Sequence, residues 1–206
     1  GVGEPIYEIP VDHREKDMSN RFYFQEMDKC IRCGKCVRVC RELVGVNALV
    51  MAQKGNMAYV MPNGGKNMAE TACVSCGNCV SVCPVGALMP KSQQFFRQWE
   101  TQKVVTTCAY CGVGCQIEYS VRNGKIVDAK PANGPSNQGL LCVKGKFAFD
   151  FINHKDRLKY PMVRKNGKLV RASWEEALNT VAKKITEVKA EFGPDAIAGF
   201  SSARTV

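Results

Sequence analysis

Twelve cysteines stand in a chain of 206 residues, and all of them fall between Cys30 and Cys142. Two groups are copies of one pattern. CIRCGKCVRVC at 30–40 and CVSCGNCVSVC at 73–83 both read C-x2-C-G-x-C-V-x-V-C, repeated after 43 residues, which points to two similar half-sites arising by duplication. The third group differs: Cys108, Cys111 and Cys115 are followed by Cys142 after a gap. Thiols this dense either pair as disulfides in a secreted protein or bind metal in a reducing compartment. The N-terminus has no basic head followed by an apolar run and no twin arginine, so a cytoplasmic setting and metal ligation are expected. The uncharged run 71–90 is long enough to span a membrane, but it carries four Cys, Asn78, Pro84 and two Gly, so no membrane span is expected.

The spacing separates two metal chemistries. Structural zinc draws two ligands from each of two separated knuckles, whereas three thiols at i, i+3 and i+6 with a fourth at i+10 follow the bacterial ferredoxin signature for paired [4Fe-4S] cubanes, in which the fourth cysteine serves the other cluster. Cys30, Cys33, Cys36 and Cys83 are thus expected to hold one cubane, and Cys73, Cys76, Cys79 and Cys40 another. Each fourth cysteine is expected to open a helix leading away from its own loop. Cys108, Cys111, Cys115 and Cys142 can surround a third cluster, which uses every cysteine in the chain.

The elements that must position these thiols are short. Two apolar runs around Lys54-Gly55-Asn56 read as a hairpin, with Met51, Met57 and Met61 as packing residues. The stretch 116–132 alternates around Asn123-Gly124 and reads as a second hairpin. Ser173-Trp-Glu-Glu176 is a capping box opening an amphipathic helix that ends at Gly193-Pro194. DAIAGF, 195–200, reads as a buried-type strand. His13 and His154 match no ligand position. Lys29, Arg32, Lys35, Arg38 and Arg41 surround the first motif while the second contains no charge, so the Cys30 cluster is expected to have the higher potential.

TTCAYCGVGC, followed by GLLCVKGKFAFDFINHKDRLKYPMVRKNGKLVRASWEEAL, resembles the N-terminal iron–sulfur domain of the molybdopterin oxidoreductases, most of all the formate dehydrogenase catalytic subunit. The paired-motif stretch resembles the ferredoxin-type module of longer formate dehydrogenases, iron-only hydrogenases and the NADH dehydrogenase large subunit. Together the resemblance covers roughly residues 20–206. It implies an α+β chain: an extension at 1–21, a ferredoxin-like two-cluster domain at 22–100, a small β-rich [4Fe-4S] domain at 101–160, and the start of an α/β molybdopterin domain at 161–206. It also implies a molybdenum- or tungsten-bis(molybdopterin guanine dinucleotide) in the full-length protein, with Lys144 as an electron relay between the third cluster and the pterin, and Ser202 and Arg204 on the pterin side. The metal-binding Cys or selenocysteine, and the His and Arg that handle formate, would lie further along such a chain.

The formal charge is +10. Three oxidised clusters with their thiolates lower it to roughly +4, and no nucleic-acid recognition motif accompanies the basic residues. The expected partners are an iron–sulfur or flavin NAD(P)H-oxidising subunit, a hydrogenase or a ferredoxin. The expected function is the electron-transfer portion of a formate dehydrogenase or CO2 reductase. An NADH-dehydrogenase-type conduit and a stand-alone iron–sulfur carrier are the alternatives.

Overall fold

Glycine after the second cysteine of each repeat decides the local fold. In the computed structural model, which describes residues 3, 13–91 and 96–202, Gly34 (φ 71°) and Gly77 (φ 74°) adopt left-handed backbone. Each then starts one helical turn, α1 (Lys35–Arg38) and α2 (Asn78–Ser81). The loop before each glycine bends alike, with Arg32 at φ 58° and Ser75 at φ 55°. This corrects the expectation that the fourth cysteine opens a helix. The turn opens ahead of the third, Cys36 or Cys79, because the left-handed glycine is its N-cap. Cys40 lies in a π-helical turn, Val39–Leu43, that continues α1, and Cys83 follows α2.

Strand β1 (Tyr23–Gln25) pairs antiparallel with β4 (Leu88–Pro90), so the segment before the first motif meets the segment after the second. Strands β2 (Leu49–Ala52) and β3 (Tyr59–Pro62) form the expected hairpin around a 3-10 turn at Gly55–Met57. Tyr23, Val37, Val39, Leu49, Val60, Met68, Val80 and Leu88 build the core here, and Phe147 enters it from far along the chain. Met51 and Met57, expected to pack, are exposed, because both sit on the hairpin's outer side and tip.

Strands β5 (Gln102–Thr107), β6 (Gln116–Arg122) and β7 (Lys125–Pro131) form an antiparallel sheet in chain order. Asn123 and Gly124, both at positive φ, make the tight turn that matches strand twist. Ile117, Ser120 and Ala129 are buried. A loop over 132–141 then leads through Cys142 into α3 (Val143–Phe147).

The chain divides into two compact units, Gly1–Phe149 and Asp150–Val206. The second contains the hairpin β8 (Met162–Lys165) and β9 (Lys168–Arg171) and the helix α4 (Trp174–Phe192). Ser173 Oγ accepts the Glu176 N–H at 3.0 Å, as the capping box requires. Leu178, Val181 and Ile185 lie on α4 and are exposed. The strand expected at 195–200 is absent: a 3-10 turn at Pro194–Ala196 is followed by irregular backbone. A strand exists through its ladder, and these residues have no partner strand among the described residues. No described helix is long and apolar enough to cross a membrane.

Candidate iron–sulfur centres

All twelve cysteines are free thiols. The chain brings them together in three sets of four. Cys30, Cys33, Cys36 and Cys83 line one cavity that is partly open to solvent, with about 340 Å3 free of protein atoms when that open space is included. Cys40, Cys73, Cys76 and Cys79 line a second of the same kind, about 330 Å3 on the same basis. In the β5–β7 region, Cys115 feels the charges of Cys108, Cys111 and Cys142, and Cys108 is held by its N–H to the Cys115 carbonyl at 2.8 Å. Cys33 and Cys142 are the exposed members, while Cys36, Cys79 and Cys108 are buried.

The donor sets fit a multi-iron centre. Burial pushes the Cys36 thiol up to about 11, with Cys30, Cys33 and Cys83 adding repulsion and the Val37 N–H opposing it. Burial raises Cys79 further, with Cys76, Cys73, Cys36 and Cys40 reinforcing it. Four thiolates cannot coexist at such spacing unless positive charge sits among them, which is the task a metal centre performs. Among the described residues no three His, Cys, Asp or Glu side chains could hold a single ion; the corners of a cubane lie further apart than the ligands of one zinc. Neither cavity is lined by a carboxylate or imidazole.

Backbone N–H groups already point at sulfur. Arg32 N–H reaches Cys30 Sγ at 3.3 Å and Ser75 N–H reaches Cys73 Sγ at 3.3 Å, both consequences of the left-handed bends. Ala48 N–H reaches Cys40 Sγ at 3.2 Å. The second site has further donors: the Tyr23 hydroxyl lies 3.4 Å from Cys73 Sγ, and Asn20 Nδ2 lies 3.8 Å away. Neither residue was visible as a site residue from cysteine spacing.

Lys144 lies in α3, half-buried, with Nζ 5.6 Å from the centre of the Tyr110 ring. Tyr110 donates its hydroxyl hydrogen to the Ala148 carbonyl. Lys146, two residues on, is not singled out by sequence, yet it is the more buried lysine at 4% exposure. Its Nζ donates to the Ala129 carbonyl at 2.6 Å and stands 3.7 Å from Asp128. Burial lowers its pKa, and Asp128 opposes that shift. Ser202 is exposed, and Arg204 lies outside the described residues. His13 sits 3.4 Å from Asp28, and His154 accepts the Asp156 N–H at 3.2 Å; both are exposed and outside the thiol sets.

Three family models match the chain. Residues 22–89 match the ferredoxin-like domain of NADH-quinone oxidoreductase subunit 3. Residues 101–154 match the molybdopterin oxidoreductase Fe4S4 domain, and 157–206 match molybdopterin oxidoreductase. The chain therefore belongs to the molybdopterin oxidoreductases, with a ferredoxin-like domain placed ahead of the Fe4S4 domain. Three curated relatives fill out the comparison. "Probable oxidoreductase YjgC" of Bacillus subtilis is 32% identical over 95% of this chain and 24% of its own length. "Putative formate dehydrogenase YrhE" of the same organism is 34% identical over 91% and 23%. "NADPH-Fe(3+) oxidoreductase subunit alpha" of Geobacter sulfurreducens is 38% identical over 86% and 20%. The chain thus spans about a quarter or less of the relatives it matches.

Proposed function

We propose that the three sets of thiols hold three [4Fe-4S] clusters and that the chain is the electron-wiring portion of a molybdenum- or tungsten-dependent formate dehydrogenase or CO2 reductase. The observation that carries the reading is the convergence of twelve thiols into three mutually repelling quartets with no fourth use for a cysteine. The clusters, when bound, would supply one-electron relays, and the bis(molybdopterin guanine dinucleotide) of the full-length protein would supply the bond chemistry on formate.

The chain's own residues hold and tune. Cys30, Cys33 and Cys36 are supplied by one loop and completed by Cys83; Cys73, Cys76 and Cys79 by the other loop and completed by Cys40. Backbone N–H groups at Arg32, Ser75 and Ala48 stabilise negative sulfur, and apolar side chains such as Val60, Leu88, Leu49 and Met68 exclude water. Lys144 is suited to stand between the Cys142 cluster and a pterin, because it follows Cys142 by two residues on a rigid turn. Ser202 and Arg204 belong to the pterin side in this reading. The functional domains are 22–100, 101–160 and 161–206, in a cytoplasmic, multisubunit assembly with an iron–sulfur or flavin NAD(P)H-oxidising subunit, a hydrogenase or a ferredoxin.

The crossed ligand sets give the sharpest test. In the full-length protein, Cys40→Ala should remove the EPR signal of the Cys73 cluster and leave that of the Cys30 cluster. Loss of the Cys30 signal instead would show that each repeat supplies all four of its own ligands, and the reading of the paired clusters would fail. Formate should reduce the clusters within catalytic turnover times. A second reading is favoured by the 38% identity to an NADPH-Fe(3+) oxidoreductase subunit and by the subunit-3-like ferredoxin domain: a pyridine-nucleotide-linked conduit. Cluster reduction by NAD(P)H through a partner subunit, with no response to formate, would select it.

A further inference from the structure

The two repeats agree at every cysteine and glycine but differ between Gly and the third cysteine. Lys35 stands there in the first repeat and Asn78 in the second. Lys35 is exposed, and beside Gly34 a Cβ would meet nothing closer than Met51 Cε at 3.7 Å. Asn78 is 5% exposed. Its Nδ2 donates to the Leu141 carbonyl at 3.0 Å, and its Oδ1 accepts the Leu141 N–H at 3.1 Å. The same residue's backbone and side-chain amides also bond Cys76. Leu141 is followed directly by Cys142.

The surroundings of this clamp are closed. A Cβ on Gly77 would lie 2.6 Å from the Phe147 ring and 2.7 Å from Lys146 Cγ, so only glycine allows the approach. Phe22 stacks on Phe147 with centroids 5.3 Å apart and planes 13° from parallel. An amide matched on both its donor and its acceptor to one residue's N–H and C=O specifies a single register, and a buried pair of this kind leaves two unpaired groups if it is broken.

We propose that Asn78 is the positioning residue of an electron junction. It fixes the loop carrying Cys76 and Cys79 against the peptide carrying Cys142, so that electrons cross between the Cys108 and Cys73 sets. The Cys30 set, with Lys35 facing solvent, is then the outward terminal. This rests on the reading that the quartets hold clusters. One electron crosses at a time, lost on the Cys142 side and gained on the Cys76 side, with no bond made and no proton moved.

The test uses the full-length, cluster-loaded protein with Asn78→Leu, Asn78→Asp and, as control, Lys35→Leu. Leucine leaves both Leu141 groups unpaired, so hydrogen exchange at the Leu141 amide should rise roughly ten- to a hundredfold. The EPR spin interaction between the reduced Cys108 and Cys73 centres should weaken, and freeze-quenched electron arrival at the ferredoxin-like domain should slow about tenfold. Asn78→Asp keeps the acceptor for the Leu141 N–H and should fall between. Lys35→Leu alters only the surroundings of the Cys30 set and should leave the Leu141 exchange and the Cys108–Cys73 spin interaction at wild-type values. If Asn78→Leu does not load iron, Asn78→Asp carries the same comparison. Raised exchange with an unchanged spin interaction and rate would reduce Asn78 to a structural fastener and overturn the proposal. So would an effect of Lys35→Leu equal to that of Asn78→Leu. A wild-type protein without cubane signals would overturn the cluster reading and this proposal together, whereas loaded wild type with an unaltered Asn78→Leu would overturn this one alone.

Discussion

Gly34 and Gly77 have nearly the same backbone angles and very different neighbours, which makes them an internal control for what a single residue contributes. Alanine at either pays for left-handed backbone, about 1–2 kcal/mol. At Gly77 the added methyl also overlaps Phe147 and Lys146, and forcing atoms into a packed site costs a further ~1–3 kcal/mol. Gly77→Ala should therefore lower the temperature at which visible cluster absorbance is lost well below the Gly34→Ala value; equal shifts would contradict the packing described. At this scale the sequence was legible where chemistry is repeated and local. Cysteine type and spacing were enough to group the thiols as the structure groups them. Asn78, Lys146, Tyr23 and Asn20 were not legible, because what makes them matter is a partner brought near by folding: Leu141 is 63 positions from Asn78, and Cys73 is 50 from Tyr23. The one available hint is that Asn78 stands where the first repeat has Lys35, one of three basic positions that become polar and uncharged in the second repeat.

Between β7 and α3 the loop has little regular structure of its own, yet it must deliver Cys142 to Cys115. Asn137, 8% exposed, organises it. Its Oδ1 accepts the Gln116 N–H at 3.0 Å, and its Nδ2 lies within hydrogen-bonding distance of the carbonyls of Gln116, Ala132 and Leu140. Gly134 passes so close that a Cβ would sit 2.8 Å from Asn137 Oδ1. Asn137→Ala leaves several buried groups without partners and should cost ~2–4 kcal/mol. The loss should appear first in the EPR signal of the Cys108 cluster while both ferredoxin-type signals persist; simultaneous loss of all three would show that the loop is not a local device. Hairpins with Asn-Gly or Lys-Gly-Asn tips and a capped helix were readable as elements because each is stabilised by neighbours in sequence. The segment 195–200 was not, since an apolar run becomes a strand only when another strand accepts its hydrogen bonds. The helical turns in the two repeats start earlier than cysteine spacing implies, for a related reason. Val37 and Val39 advertise packing, but the left-handed glycine sets where the turn begins.

Across the whole molecule, charge and hydrogen bonding act on the two ferredoxin-type sites in different ways. Lys29, Arg32, Lys35, Arg38 and Arg41 are all exposed around the Cys30 set, and Lys29 and Arg41 are partly offset by Glu26 at 2.9 Å and Glu42 at 2.7 Å. The Cys73 set has no charged residue in its motif and instead receives Tyr23 and Asn20. Exposed charges act through water, so replacing Lys35 and Arg38 with glutamine should lower the Cys30 cluster potential by only tens of millivolts, roughly, and less at high salt. Tyr23→Phe should lower the Cys73 potential instead, because a donor to sulfur favours the reduced state. A redox titration followed by EPR at two ionic strengths checks both, and a Cys30 potential indifferent to Lys35 and Arg38 would rule out electrostatic tuning of that site. One further property follows from the pairing of β1 with β4. Tyr23 faces Pro90 across a single ladder, so the path into the ferredoxin-like domain and the path out of it are about 5 Å apart. A segment whose two ends meet can be spliced between other segments without stretching either, and it brings its ligands with it. That makes the stretch carrying the two repeats a cassette in its backbone path: it can stand ahead of another domain, as it does here, and the join is then made by side chains, Asn78 to Leu141 and Gly77 against Phe147.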